Sequence, residues 1–139
     1  MCGIARIEEG MTMDFEQEYR LTRQAWIDGV NAFHPAPKES YTLPWEQMSS
    51  WEQEAVKALY QHVRNIILPI LKEDIRIPRE HGGYLVGSIW NVLMFQVLRD
   101  PKPSYVKHFN ELDEWQQKTD IKMFEAIEAA VLQELSPQR

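Results

Sequence analysis

The chain has 139 residues, 44% hydrophobic and 26% charged, with a formal net charge of −6. That length allows one domain or two small halves sharing a core, and that composition is globular rather than disordered. The acidic balance without any basic run argues against nucleic acid as a partner. The single cysteine, Cys2, leaves no internal disulfide framework and no cysteine zinc site, which fits a reducing cytoplasm.

Residues 1–12 read as an N-terminal extension. Glu8-Glu9-Gly10 can be encoded by a stretch that looks like a ribosome-binding site, and Met11 and Met13 follow it as candidate starts. A first helix is expected from an N-cap at Asp14 to Phe33, with Phe15, Tyr19, Trp26, Val30 and Phe33 on one face. His34-Pro35-Ala36-Pro37 ends it, because proline cannot continue the hydrogen-bond ladder. Lys38–Pro44 is expected to be extended, followed by a turn at Pro44-Trp45-Glu46.

Ser49-Ser50-Trp51-Glu52 has the form of a capping box, so a second helix is expected from there. Its stripe is Ala55, Val56, Leu59, Val63, Ile66 and Ile67, and Pro69 is expected to end or kink it. Lys72–His81 is a polar link. Gly82–Leu98 then runs for 17 residues without a charge, just short of a membrane-spanning helix. Its counterpart 64 residues earlier, Glu18–His34, is amphipathic, so the segment is expected to be a buried helix and no membrane partner is expected. Arg99–Pro103 is a linker, Tyr105–Phe109 is expected to be extended, and Asp113-Glu114-Trp115-Gln116 reads as a second capping box. The last helix, Glu114–Leu135, is expected to bury Trp115, Ile121, Phe124, Ile127, Val131 and Leu132 before Ser136-Pro137 closes it.

These elements fall into two units related by a constant offset. Sliding Leu21–Leu71 onto Leu85–Leu135 gives ten identities in 51 ungapped positions. Average composition would give about three, so the chain reads as an internal repeat. Trp26/Trp90, Trp51/Trp115, Pro37/Pro101, Lys38/Lys102, Ser40/Ser104 and Tyr41/Tyr105 are among the pairs, and Trp45 aligns with Phe109. Neither unit can bury its aromatic face by itself. The expected fold is all-α: two helix–linker–helix units, 13–73 and 82–135, related by a pseudo-twofold axis and packed into one four-helix domain over 13–139, with short extended segments in the linkers.

No motif for catalysis stands out. Ser49 and Ser50 lack a histidine at motif distance, Gly82–Gly87 lacks the Lys-Ser/Thr of a phosphate loop, and His34, His62, His81 and His108 lack metal spacing. Trp26 and Trp90 can be core packing, or an aromatic clamp at the pseudo-axis for a flat ligand such as a nucleobase. Trp51 and Trp115, beside the capping boxes, are expected to anchor the loops that precede them. The repeated Pro-Lys-x-Ser-Tyr linker can be a solvated connection. It can also bind phosphate through Lys38, Lys102, Tyr41 and Tyr105, with Arg23 and Arg99 nearby.

The runs Pro44-Trp45-Glu46-Gln47-Met48-Ser49-Ser50-Trp51-Glu52-Gln53 and Phe109-Asn110-Glu111-Leu112-Asp113-Glu114-Trp115-Gln116-Gln117-Lys118-Thr119-Asp120 resemble ryanodine-receptor repeat domains, which also occur as small bacterial and phage proteins. The His-Pro of that family's linker is replaced here by Ser40-Tyr41 and Ser104-Tyr105. The resemblance implies a non-enzymatic helical domain whose helices and linkers frame a cleft for a nucleotide-like small molecule. It further implies a phage protein able to sequester a host immune signalling nucleotide. On this reading Trp26, Trp90 and Trp45 stack the base, the linker cations and tyrosines hold phosphates, and no cofactor is required. The alternative is a protein-interaction module, either a phage inhibitor of a host protein or a homodimerising domain, suggested by the unusually apolar Gly82–Leu98.

Overall fold

The computed structural model describes residues 15–136, so the extension 1–12 and the expected N-cap Asp14 lie outside the described residues. Four helices pack together: α1 (Glu16–Phe33), α2 (Ser50–Lys72), α3 (Arg79–Val97) and α4 (Glu114–Leu135). Their inward faces supply a core in which Val30, Leu59, Val63, Ile67, Met94, Phe124, Ile127 and Val131 are fully buried. Each such side chain contributes about 1.5–3 kcal/mol by leaving water.

The expected stripes hold except at their margins. Phe33 and Ile66 are exposed instead of buried. The expected buried helix at Gly82–Leu98 begins earlier, at Arg79, after Pro78. It also keeps an open apolar face, with Tyr84, Val92, Phe95 and Val97 exposed. Among the described residues, no helix is long and apolar enough to cross a membrane.

The linkers are not extended as expected. Each coils into two 3-10 turns, Glu39–Thr42 and Trp45–Gln47 in the first, Pro103–Tyr105 and Phe109–Glu111 in the second. Local backbone bonds outcompete extension: Tyr41 N–H donates to the Lys38 carbonyl at 3.0 Å, and Tyr105 N–H to that of Lys102 at 2.8 Å. The later turns start 64 residues apart and are fastened alike. Gln53 donates through Nε2 to the Trp45 carbonyl at 2.6 Å, and Gln117 to that of Phe109 at 2.8 Å.

The two helix starts differ. Glu52 accepts hydrogen bonds from the Ser49 N–H at 3.3 Å and its hydroxyl at 2.8 Å, so the first capping box forms. The second does not. Asp113 occupies the N-cap position without a side-chain cap bond, and both Asp113 and Gln116 line a cavity instead. Pro69 does not end α2, which continues to Lys72. Pro69 and Asn65, whose carbonyl the proline leaves without its helical donor, are both exposed, so that carbonyl need not be satisfied within the fold. The helix stops where Asp74 adopts φ 64° and the Ile75 N–H reaches back to the Ile70 carbonyl at 3.3 Å, a Schellman ending.

The helices are not evenly spaced. α4 packs most extensively, against both α1 and α3, while α1 and α2 touch less. Glycines set this pattern. A Cβ on Gly29 of α1 would meet the Thr119 side chain of α4 at 2.7 Å, and one on Gly82 of α3 would enter the Phe124 ring. The α1–α2 contact is filled by rings instead, with Phe15, Tyr19 and Tyr60 in mutual contact and Trp45 stacked on Tyr19.

Candidate functional site: an aromatic cavity between the helices

A cavity of about 390 Å³ opens among the four helices and both linkers. Four tryptophans and two tyrosines line it, and they form three of the 64-residue pairs: Trp26/Trp90, Trp51/Trp115 and Tyr41/Tyr105. Ser40/Ser104, Glu52/Gln116, Val56/Asp120 and Leu59/Met123 complete seven pairs on one wall-to-wall surface. The two Pro-Lys-x-Ser-Tyr linkers therefore face the same space.

The expected site residues divide. Trp26, Trp90, Tyr41, Tyr105 and Arg23 line the cavity, whereas Lys38, Lys102, Arg99 and Trp45 do not. Trp45 is buried against Tyr19 of α1, toward the start of that helix, its indole 6.5 Å from the Tyr19 ring at 19°, and serves the core. Lys38, Lys102 and Arg99 are exposed. Lys102 lies over the Tyr105 ring, its Nζ 5.8 Å from the centroid.

Arg23 is nearly buried and already committed. Its Nε and Nη2 donate to the Leu43 carbonyl at 3.1 and 2.9 Å, and Nη2 also reaches the Tyr41 carbonyl at 3.4 Å. One turn along, the Trp26 indole N–H donates to the same Tyr41 carbonyl at 2.8 Å. Together they pin the first linker over α1. Burial pulls the guanidinium below its ordinary pKa, partly countered by the Glu52 charge.

Trp115 does not anchor the loop before it, as was expected. It crosses to the other unit. Its ring stacks on Tyr41 (6.3 Å, 16°), meets Trp26 edge-on (5.9 Å) and tilts over His34 (4.4 Å). Trp26, Tyr41 and Trp115 thus make a closed triad drawn from α1, the first linker and the start of α4. The 64-residue counterparts are Trp90, Tyr105 and Trp51, from α3, the second linker and the start of α2. These three stack on no other ring among the described residues. The same set of rings is closed at one end of the relationship and open at the other.

One polar group is out of keeping with these walls. Asp120 of α4 is only 7% exposed and makes no side-chain hydrogen bond among the described residues, but its oxygens open onto the cavity; the fully enclosed unpaired atoms are Glu18 Oε1 and Tyr60 OH. Burial pushes the Asp120 carboxyl up to about 8. Its counterpart, Val56, is an ordinary apolar lining residue, and that mismatch within an otherwise matched pair was the signal available in the sequence. Lys107, Asp113, Glu52 and His34 add charge or polarity around the rim. No group of three or more potential metal ligands occurs among the described residues.

No protein-family model, curated protein or solved structure matches the chain. Flat apolar faces, one buried carboxyl and a few peripheral cations suit the binding of a planar, polar-edged small molecule.

Proposed function

We propose that the protein binds, without chemical turnover, a nucleotide-derived small molecule in this cavity. The observation that carries the reading is the pair of equivalent aromatic triads, one closed on itself and one with its rings free. A base slotted against Trp90, Tyr105 and Trp51 would complete in the second unit the stacking that Trp115 supplies in the first. Stacking of one base on such rings contributes about 1–3 kcal/mol. Lys107 of the second linker lines the cavity and is the cation best placed for a phosphate, since Arg23 already holds backbone carbonyls. The two units are taken to be related by an approximate twofold axis through the cavity, as the seven lining pairs suggest. The setting that fits the resemblance to ryanodine-receptor repeats is a phage protein that sequesters a host immune signalling nucleotide.

Calorimetric titration against mono-, di- and cyclic nucleotides tests this. Micromolar or tighter binding that Trp90→Ala abolishes supports it, and absence of binding to every member of the panel overturns it.

One observation favours a second reading, a protein-interaction module. Val92 and Phe95 of α3 are 56% and 63% exposed, more than isolated surface residues of this type require. Light scattering after size exclusion separates the two: a monomer that binds nucleotide supports the first, and a stable oligomer dispersed by Phe95→Ser supports the second.

A further inference from the structure

The cavity holds a carboxyl that the packing does not need. Asp120 is 7% exposed, is bonded to no donor among the described residues, and opens onto an aromatic space. Burial without a partner penalises a carboxyl even where one side meets a cavity, so a purely structural position would favour an apolar residue. The repeat supplies that comparison within the same molecule: position 56, the counterpart, is valine, 3% exposed and lining the same cavity.

The surroundings are shaped around the carboxyl. Gly87 of α3 faces it, with Oδ2 only 3.1 Å from where a Cβ would stand. The counterpart of Gly87 is Arg23, so the second unit has lost a large side chain where it gained an acid. Gly87 and Trp90 are three residues apart on α3, hence on one face, so the helix surface that meets Asp120 also carries Trp90. The titratable and charged groups that share the space are Arg23 of α1, Glu52 of α2, His34 and Lys107 of the linkers, and Asp113 at the start of α4. None of these is bonded to Asp120. Glu52 serves Ser49, and Arg23 serves Tyr41 and Leu43.

We infer that Asp120 is the residue by which the cavity selects its ligand, taking an N–H from the edge of a flat nitrogen heterocycle held against Trp90, Tyr105 and Trp51. The ligand class is therefore a base that carries a hydrogen-bond donor, such as the amino-substituted edge of adenine or guanine. A base with acceptors only can take the proton of the neutral acid but leaves its carbonyl oxygen without a donor, so it forms one hydrogen bond where an amino-substituted edge forms two. The elevated pKa of Asp120 is consistent, because a neutral carboxyl both accepts an N–H and donates to a ring nitrogen. This inference rests on the reading that the cavity binds a nucleotide.

The test compares AMP and GMP with purine riboside 5′-monophosphate, whose base has no N–H, by calorimetry on the whole protein. The wild type is expected to bind AMP or GMP about tenfold or more tightly than the purine analogue. Asp120→Leu is expected to bind all three equally weakly while melting at the same temperature as the wild type or above it. A purely structural role predicts the opposite shift in melting. Asp120→Asn keeps an acceptor in place and is expected to retain part of the discrimination, which keeps the test decisive if the leucine variant does not fold. Equal binding of all three by the wild type, or discrimination that survives in the leucine variant, overturns the inference and leaves the nucleotide reading standing. No binding of any of the three overturns the inference, and failure of the wider nucleotide panel overturns both.

Discussion

A β-carbon on Gly87 would stand 3.1 Å from Oδ2 of Asp120 and 3.2 Å from the Phe109 ring. The missing side chain on α3 is therefore what gives the carboxyl of α4 its room. Gly87→Ala gains about 1 kcal/mol of helix propensity and forces its neighbours back by a few tenths of an ångström. Its expected signature is nearly unchanged urea unfolding together with weakened nucleotide binding. Gly82→Ala differs, because there the new methyl enters the fully buried Phe124 ring. Urea unfolding is expected to show a loss of about 1–3 kcal/mol.

The same carboxyl makes stability depend on pH. In the unfolded chain it titrates near 3.8, and in the fold near 8. Between these values the fold holds a proton that the unfolded chain has released. The contribution is thus full below pH 4 and is lost as pH rises toward 8. The interval corresponds to at most about 6 kcal/mol. Asp120→Asn cannot titrate, so the stability difference between variant and wild type should widen in the variant's favour from pH 5 to pH 8. A difference that stays constant over that range would refute the assignment.

The two triads should respond differently to truncation. Trp115→Ala removes a ring in contact with Trp26, Tyr41 and His34 and should lower the melting temperature. Trp90→Ala removes a ring that stacks on no other among the described residues, so it should cost less in stability and more in nucleotide affinity. Thermal melts and titrations of the two variants side by side read this directly.

Arg76 and Glu128 provide a test of packing outside the cavity. Arg76 reaches the carboxylate of Glu128 at 2.9 Å, and the Glu128 side chain is only 4% exposed whereas that of Arg76 is 58% exposed. Removing the arginine strands a buried charge, which costs more than removing both partners. Arg76→Ala should therefore melt lower than the double variant Arg76→Ala with Glu128→Met.

Much of the helical plan was legible because period and punctuation agree. The Ser49–Glu52 box, the His34-Pro35 stop and the stripes of α2 and α4 follow from local rules. The linkers were not legible, because 3-10 turns and extended segments share the same Pro-rich signals, and what distinguishes them is the local bonding of Tyr41 N–H to Lys38 and of Tyr105 N–H to Lys102. Trp45 and Trp115 exchanged the roles expected of them for a tertiary reason. Which rings an indole meets depends on how the helices cross, and that is set by Gly29 and Gly82 contacts with α4. Asp120 was visible only as an acid opposite a valine in the alignment of the units.

The central position of α4 has a consequence for synthesis. Helices emerge from the ribosome in order, and α4 comes last of the four while making the closest contacts of all. Until it emerges, the glycine-lined faces of α1 and α3 have no partner at the required distance, and the closed triad lacks Trp115. The nascent chain through residue 112 would hold its aromatic surface open to chaperones, and the binding cavity would come into being in one late step rather than unit by unit.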